Sequence, residues 1–125
     1  MIAKRAWLYC RVENGWDWDS YEFMELQKDS LKQFCQEHDL EVSGTTTAIG
    51  NTISELEQVV NCGIAQDTFD VLVVTSSILI GRSLTDLFRI TEQLAAHGKG
   101  LCMVQDNIST IQISGFAPLN LEDMP

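Results

Sequence analysis

Short apolar runs alternate along the chain with longer stretches in which apolar residues recur every three or four positions. Residues 6–12 are rich in aromatic and β-branched side chains, which is typical of a strand. Residues 71–75 and 101–104 are almost continuously apolar, as expected of parallel strands that are buried on both faces. Residues 40–47 form a weaker, threonine-rich strand candidate. The pattern therefore predicts a sheet with three core strands and one weaker strand.

Helical periodicity fills the intervals between these strands. The spacing predicts helices over residues 20–38, 53–62 and 84–97. Each helix begins near a pair of residues that can form a capping box, namely Asp19 with Glu22, Thr52 with Glu55, and Ser83 with Asp86. Gly63 is expected to end the second helix. The residues expected on the apolar faces are Phe23, Leu26, Leu31, Phe34 and Cys35 in the first helix, and Leu84, Leu87, Phe88 and Leu94 in the third.

The order of the elements predicts the fold class. Strands that alternate with amphipathic helices form right-handed βαβ crossovers, so we expect an α/β three-layer sandwich with a mainly parallel central sheet. Residues 108–113 are a candidate edge strand, and Pro118 discourages a long helix after it. With 125 residues, the chain is expected to form a single domain over residues 1–125, with no DNA-binding domain.

Composition narrows the function. Eight Lys and Arg residues against 18 Asp and Glu residues give a net charge of −10, which argues against tight autonomous DNA binding. No apolar run is long enough to span a membrane, so we expect a cytoplasmic protein without membrane partners. The four cysteines form no CxxC pair and are expected to be structural core thiols, and no metal or other cofactor is expected.

Four short motifs, taken in order, resemble a known family. They are YCRV at residues 9–12, LQKDSL at residues 26–31, FDVLVV at residues 69–74 and GRSL at residues 81–84. Together they resemble the N-terminal catalytic domain of serine site-specific recombinases, the family of resolvases, invertases and large serine integrases. The resemblance runs from about residue 6 to residue 104, and it implies a resolvase-like variant of the flavodoxin-like architecture.

The resemblance also implies a catalytic site. In that family, a serine directly after the Arg-Val pair attacks a DNA phosphodiester, and clustered arginines stabilise the transition state. Arg11 matches the arginine before the nucleophile, and Arg82 matches the second arginine of an Asp-Arg-x-x-Arg motif. Gln27 matches a glutamine that helps to order the site, although a solvent-facing helix position is the alternative for this residue. Arg11 and Arg82 are therefore candidates for residual phosphate contacts.

Other positions depart from the family pattern. Glu13 occupies the place of the nucleophilic serine, while Ile78 and Leu79 occupy the places of the aspartate and first arginine of the second motif. Residues 45–52 contain no arginine, although the family usually has one there. These departures predict a degenerate site without catalytic activity.

Three hypotheses follow for the function. The favoured one is a recombinase-like domain that acts through binding, either as a homodimer or with an active recombinase; the apolar residues 77–80 are a candidate interface. The second is a working enzyme that uses an unorthodox site or borrows residues from a partner. The third is an unrelated flavodoxin-like module that binds a small ligand or another protein.

Overall fold

The computed structural model describes residues 4–12, 18–50, 54–76 and 84–116, although not the side chain of Leu84. These residues form five strands and three helices. The elements in chain order are β1 (Lys4–Val12), α1 (Trp18–Glu37), β2 (Leu40–Ile49), α2 (Ser54–Gln66), β3 (Val71–Val74), α3 (Leu84–Ala95), β4 (Gly100–Met103) and β5 (Ile108–Ser109). Every predicted strand and helix is present, with end positions that shift by a few residues.

The five strands form one sheet in the order β2-β1-β3-β4-β5. The pairs β1–β2, β1–β3 and β3–β4 are parallel, whereas β5 pairs with β4 in the antiparallel direction. β3 lies at the centre of the sheet, and its four residues are all buried. The predicted α/β class with a mainly parallel central sheet is therefore confirmed.

Side chains on opposite faces of the sheet form two hydrophobic cores. Because side chains alternate along a strand, Leu8 and Cys10 of β1 face α1, whereas Tyr9 faces the opposite way. Leu31 of α1 packs in the first core, and the second core includes Leu56 of α2 and the equally buried α3 residue Leu94. One helix on one face and two on the other make the three layers that the element order predicts.

Several predictions about individual side chains were wrong. Phe23 and Leu26 of α1 are 56% and 66% exposed, and Phe88 of α3 is 50% exposed. The buried face of α1 instead consists of Met24, Gln27, Leu31, Phe34 and Cys35. The apolar face of α3 is centred on Ile90 and Leu94. Helical periodicity alone did not identify which flank of each helix the sheet covers.

Gly63 is not the end of α2, which continues to Gln66. Its role is instead in packing, because a methyl group at this position would overlap the ring of Phe69. Phe69 is fully buried in the second core, next to the start of β3. A residue without a side chain is therefore required where α2 crosses this ring.

The cysteines match the prediction at three positions out of four. Cys10, Cys35 and Cys102 are buried free thiols of the first core, whereas Cys62 is exposed on α2. Burial raises the pKa of Cys10 and Cys35 to about 11 and that of Cys102 to about 12. The three core thiols are thus protonated at neutral pH and serve as small apolar side chains.

Candidate functional site at the carboxyl ends of the strands

The carboxyl end of β1 is fixed by one side-chain amide from α1. The amide nitrogen of Gln27 donates to the main-chain oxygen of Arg11 (2.9 Å), and its oxygen accepts from the main-chain N–H of Arg11 (3.1 Å). Gln27 is only 4% exposed, and both of its hydrogen bonds to Arg11 are partly buried. The solvent-facing alternative for Gln27 is therefore wrong, and this residue fixes the position of Arg11 in the strand.

The sheet topology explains why a side chain is needed there. β1 pairs with β3 only from Ala6 to Leu8, so the end of β1 extends beyond that ladder. The N–H and C=O groups of one strand residue point to the same side, and buried main-chain groups need partners. The amide of Gln27 offers one acceptor to the N–H of Arg11 and one donor to its C=O. A residue of a neighbouring strand would offer the same pair of groups.

Tyr9 adds a buried hydroxyl near this end of the sheet. The side chain is fully buried, and its hydroxyl has no hydrogen-bond partner within the described part of the chain. Burial raises the pKa of Tyr9, the charge of Arg11 opposes that shift, and the charge of Glu55 reinforces it. Arg11 and Glu55 therefore both lie close enough to Tyr9 to act on its hydroxyl electrostatically.

The sequence motifs did not single out Tyr9 or Glu55 as site residues. A usable signal was present, because Tyr9 and Arg11 are two positions apart on a strand and so share one face of the sheet. Glu55 lies in the first turn of α2, and that helix packs on the same face. A tyrosine, an arginine and a carboxylate thus converge on the side of the sheet opposite Gln27.

The ends of the neighbouring strands complete the edge. The main-chain N–H of Gly50 donates to the oxygen of Val12 (2.9 Å), which ties the end of β2 to the end of β1. Thr75 follows β3, is 7% exposed, and accepts a hydrogen bond from the N–H of Gln105 (2.7 Å). Ligands of open parallel sheets bind at such carboxyl ends, so this edge is the candidate site.

Comparison with known proteins decides the family. The model of the family described as "Resolvase, N terminal domain" matches residues 6–117 of the chain. The chain belongs to this family. The hypothesis of an unrelated flavodoxin-like module is therefore wrong. A search of curated proteins gave no match.

Solved structures support the same fold. The N-terminal catalytic domain of TP901-1 integrase superposes with a TM-score of 0.71 at 21% identity, covering 86% of this chain and 82% of that one. A resolvase family site-specific recombinase from Streptococcus pneumoniae gives 0.70 at 21% identity, covering 86% and 76%. The C-terminal catalytic domain of ISC1926 TnpA, an IS607-like serine recombinase, gives 0.68 at 22% identity, covering 80% and 67%.

Within this resolvase domain, the described residues include only part of the predicted site. Arg11 and Gln27 lie together, joined through the main chain of Arg11. Glu13 and Arg82 lie outside the described residues, as do Ile78, Leu79 and the candidate interface at residues 77–80. Glu13 follows β1 directly in sequence, and Arg82 precedes α3 by two positions.

Half of the basic residues of the resolvase domain are held in ion pairs. Arg5 binds Asp67 and Asp70 (2.9 and 3.0 Å), and Lys99 binds Asp67 (2.7 Å). Two further pairs lie on helices, Lys28 with Glu25 and Arg89 with Glu57 (2.7 and 2.9 Å). Four of the eight basic residues of the chain are thus engaged by carboxylates.

Among the described residues, no three His, Cys, Asp or Glu side chains come together in a cluster that could hold a metal ion. No helix in this part of the chain is both long and apolar enough to cross a membrane.

Proposed function

We propose that this resolvase domain has lost DNA strand transfer and acts by binding, either to a second copy of itself or to an active recombinase of its family. In this proposal it works in the cytoplasm, and its process is site-specific recombination of the kind that mobile elements use. The observation that carries the proposal is the residue that follows β1, because Glu13 stands where the family resemblance expects the nucleophilic serine.

The carboxylate of Glu13 opposes the chemistry as well as failing to perform it. β1 ends at Val12, at the carboxyl edge of the sheet, and Glu13 is the next residue in the sequence. A carboxylate about 4 Å from a phosphate costs about 1 kcal/mol in water and about 4 kcal/mol at an effective dielectric constant near 20. A DNA phosphate placed for attack would therefore be repelled.

The loss of positive charge is the second support. The transition state of phosphoryl transfer carries negative charge that arginines of the family stabilise, and Ile78 and Leu79 supply no charge. Removing one such donor costs about 10²–10³ in rate, and at least two arginines of the family pattern are missing here. Arg11 and Arg82 retain a proposed role in residual phosphate contacts.

Weak DNA binding follows from the same charge balance. With a net charge of −10, long-range repulsion opposes the approach of a DNA backbone. We expect no sequence-specific complex tighter than about 10⁻⁷ M in an anisotropy titration at physiological salt, although specific complexes typically reach about 10⁻⁸–10⁻¹¹ M. Tight binding by the wild-type chain would contradict the proposal.

A covalent adduct assay tests the lost activity. Wild type, Glu13→Ser, and the triple variant Glu13→Ser, Ile78→Asp, Leu79→Arg are incubated with a nicked suicide DNA substrate and resolved on a denaturing gel. We expect no protein–DNA adduct from wild type or from Glu13→Ser, because serine gains little without positioned cations. An adduct from wild type would overturn the inactive-domain proposal. An adduct from Glu13→Ser alone would show that the remaining arginines suffice.

A further inference from the structure

The strand β2 forms a long edge of the sheet. Within the described residues β2 pairs only with β1, so the other side of this ten-residue strand has no strand partner there. The opposite edge is β5, which has two residues. Edge strands in natural proteins are usually short or carry Lys or Pro, because an open edge pairs with other chains. β2 has neither residue, its single charge is Glu41, and its one irregularity is a register shift at Ser43, so residues 44–49 form a regular stretch of open edge.

Exposed apolar side chains accompany this edge. Leu40 packs in the first core, so Val42, two residues later, lies on the α1 side of the sheet. Thr46 accepts a hydrogen bond from the indole N–H of Trp7, which lies on the face of the sheet away from α1. The next residue, Thr47, therefore lies on the α1 side, where it is exposed to solvent. Ile49 shares the α1 side with Thr47. Val42 and Ile49 are 40% and 59% exposed.

Helix α1 adds two more apolar residues to the same flank. Gln27 lies over β1, and Cys35 lies on the flank toward β4, where it belongs to the same core as Cys102. At 100° per residue, Phe23 and Leu26 lie about 40° and 100° from Gln27 in the direction opposite to Cys35. That direction faces β2, against which α1 also packs. Four of the seven large apolar side chains exposed in the described residues thus belong to this side of the molecule.

We propose that this β2 edge surface, formed by Phe23, Leu26, Val42, Ile49 and the outer main chain of β2, is a two-fold dimer interface. In the dimer, β2 of one copy pairs antiparallel with β2 of a second copy, and the two α1 helices lie across the same axis. A two-fold axis brings identical patches together, and an edge strand presents both donors and acceptors to its own copy.

The available area fits a stable dimer. A ten-residue strand is about 33 Å long, and one sheet layer with one helix layer is about 20 Å high. Such a strip buries about 650 Å² on each copy, or about 1,300 Å² in total, within the range of specific interfaces. Crystal-packing contacts, by comparison, mostly bury less than about 800 Å².

The charges permit this pairing and set its salt dependence. Residues 42–50 carry no charge, and two-fold pairing places the two Glu41 carboxylates about 30 Å apart, beyond the Debye length of about 8 Å at physiological salt. The rim is acidic, since Asp19, Glu22 and Glu37 lie on the same flank of α1 and residues 33–81 contain no Lys or Arg. Added salt should therefore strengthen the dimer by screening like charges.

Sedimentation velocity on the full chain under reducing conditions tests the interface. Wild type is compared with Thr47→Lys in the second half of β2 and with Phe23→Lys on the surface of α1. The matched control is Phe88→Lys, which makes the same charge change at an exposed apolar residue of α3. Each substitution lowers the negative charge of the chain, so a loss of dimer cannot come from added repulsion between the copies as a whole.

We expect a dimer that tightens between about 0.05 and 0.5 M salt. Thr47→Lys and Phe23→Lys should weaken it at least tenfold, and Phe88→Lys should leave it unchanged. Phe23→Lys keeps the test decisive if the strand variant does not fold. A monomer at about 0.5 mM in both salts, or a dimer that both edge variants leave intact, would overturn the proposal. Binding of the edge to an active resolvase domain in place of a second copy would overturn it as well. None of these outcomes depends on the adduct assay, so this inference and the inactive-domain proposal fail separately.

Discussion

The two ends of the parallel strands are held together by different chemistry. At the amino ends, Arg5 of β1 binds Asp70 through its side chain and its main-chain N–H, and Lys99 bonds to Asp67 and to the main-chain oxygen of Phe69. At the carboxyl ends, the neutral amide of Gln27 binds only the main chain of Arg11. One end is a network of paired charges, whereas the other fixes a strand without using the guanidinium of its arginine.

The difference separates charges that join strands and loops from the charge of Arg11, which takes no part in the contact with Gln27. Asp70 and Lys99 each come directly before a strand, so their ion pairs hold the loops that enter β3 and β4. Such pairs lie at the end of an α/β sheet where ligands do not bind. At the carboxyl ends, the Gln27 contact sets the main-chain position of Arg11. The side chain of Arg11 lies on the opposite face of the sheet, which is also the face of Tyr9. The two ends should therefore respond differently to substitution.

The largest loss of stability is expected at the carboxyl end, from Gln27→Leu. Leucine keeps the packing volume but removes the amide that pairs with the partly buried N–H and C=O of Arg11, at a cost of about 3 kcal/mol in the free energy of unfolding. Urea denaturation followed by tryptophan fluorescence measures it. A change below about 1 kcal/mol would show that water or a neighbouring strand replaces the amide.

Gln27→Glu is the matched control. When protonated, the introduced carboxyl can donate to the oxygen of Arg11 and accept from its N–H, as the amide does. Burial should raise its folded-state pKa, so this variant should regain stability as the pH falls toward the ordinary glutamate value of about 4.3 and lose it as the pH rises. A loss that does not depend on pH would contradict the hydrogen-bonding role.

The amino end should show a smaller effect, from Asp70→Ala. The carboxylate accepts from the main-chain N–H of Arg5 (2.8 Å) and from two nitrogens of its guanidinium (3.2 and 3.0 Å). Its side chain is 39% exposed, so solvent screens these bonds, and we expect a loss of about 2 kcal/mol. Asp29→Ala, at an exposed site on α1, should change stability by less than about 0.5 kcal/mol. If Asp70→Ala and Asp29→Ala lower the free energy of unfolding equally, the ion pairs at the amino ends do not stabilise the fold.

Lowering the pH should weaken the ion pairs at the amino ends of the strands more than the contact of Gln27 at the carboxyl ends. Hydrogen bonds from Lys99 and Arg5 lower the pKa of Asp67, and the hydrogen bond from Arg5 lowers that of Asp70. A carboxyl whose folded pKa is lowered contributes stability above its unfolded pKa, about 3.9, and loses that contribution as the pH falls through the folded value. Unfolding measured between about pH 5 and 2 should be steeper for wild type than for Asp70→Asn. Parallel curves would contradict this assignment.

The sequence predicted the elements better than it predicted the contacts that join them. Period-two and period-3.6 patterns depend on neighbouring residues, so strands and helices were found near their observed positions. The ion network joins Arg5 to residues 62 and 65 positions away, and no local pattern encodes such a pairing. Gln27 was assigned to the site by resemblance, but hydrophobicity gave no sign that a polar side chain is buried at the centre of the covered face of α1.

The smallest expected effect is on the local separation of α1 from the end of β1. Thiol alkylation at about pH 8 measures this opening. Cys10, beside Arg11 on β1, is covered by α1, and burial raises its pKa; Cys102 is buried in β4. In native wild type only the exposed Cys62 should react quickly with iodoacetamide. In Gln27→Leu, α1 should separate more often from the end of β1, so Cys10 should react faster while Cys102 changes less. Mass spectrometry of the alkylated peptides separates the two sites. If the alkylation rates of Cys10 and Cys102 rise together, the substitution lowers only the global stability. A contact that holds the carboxyl end of β1 locally should instead raise the rate at Cys10 first.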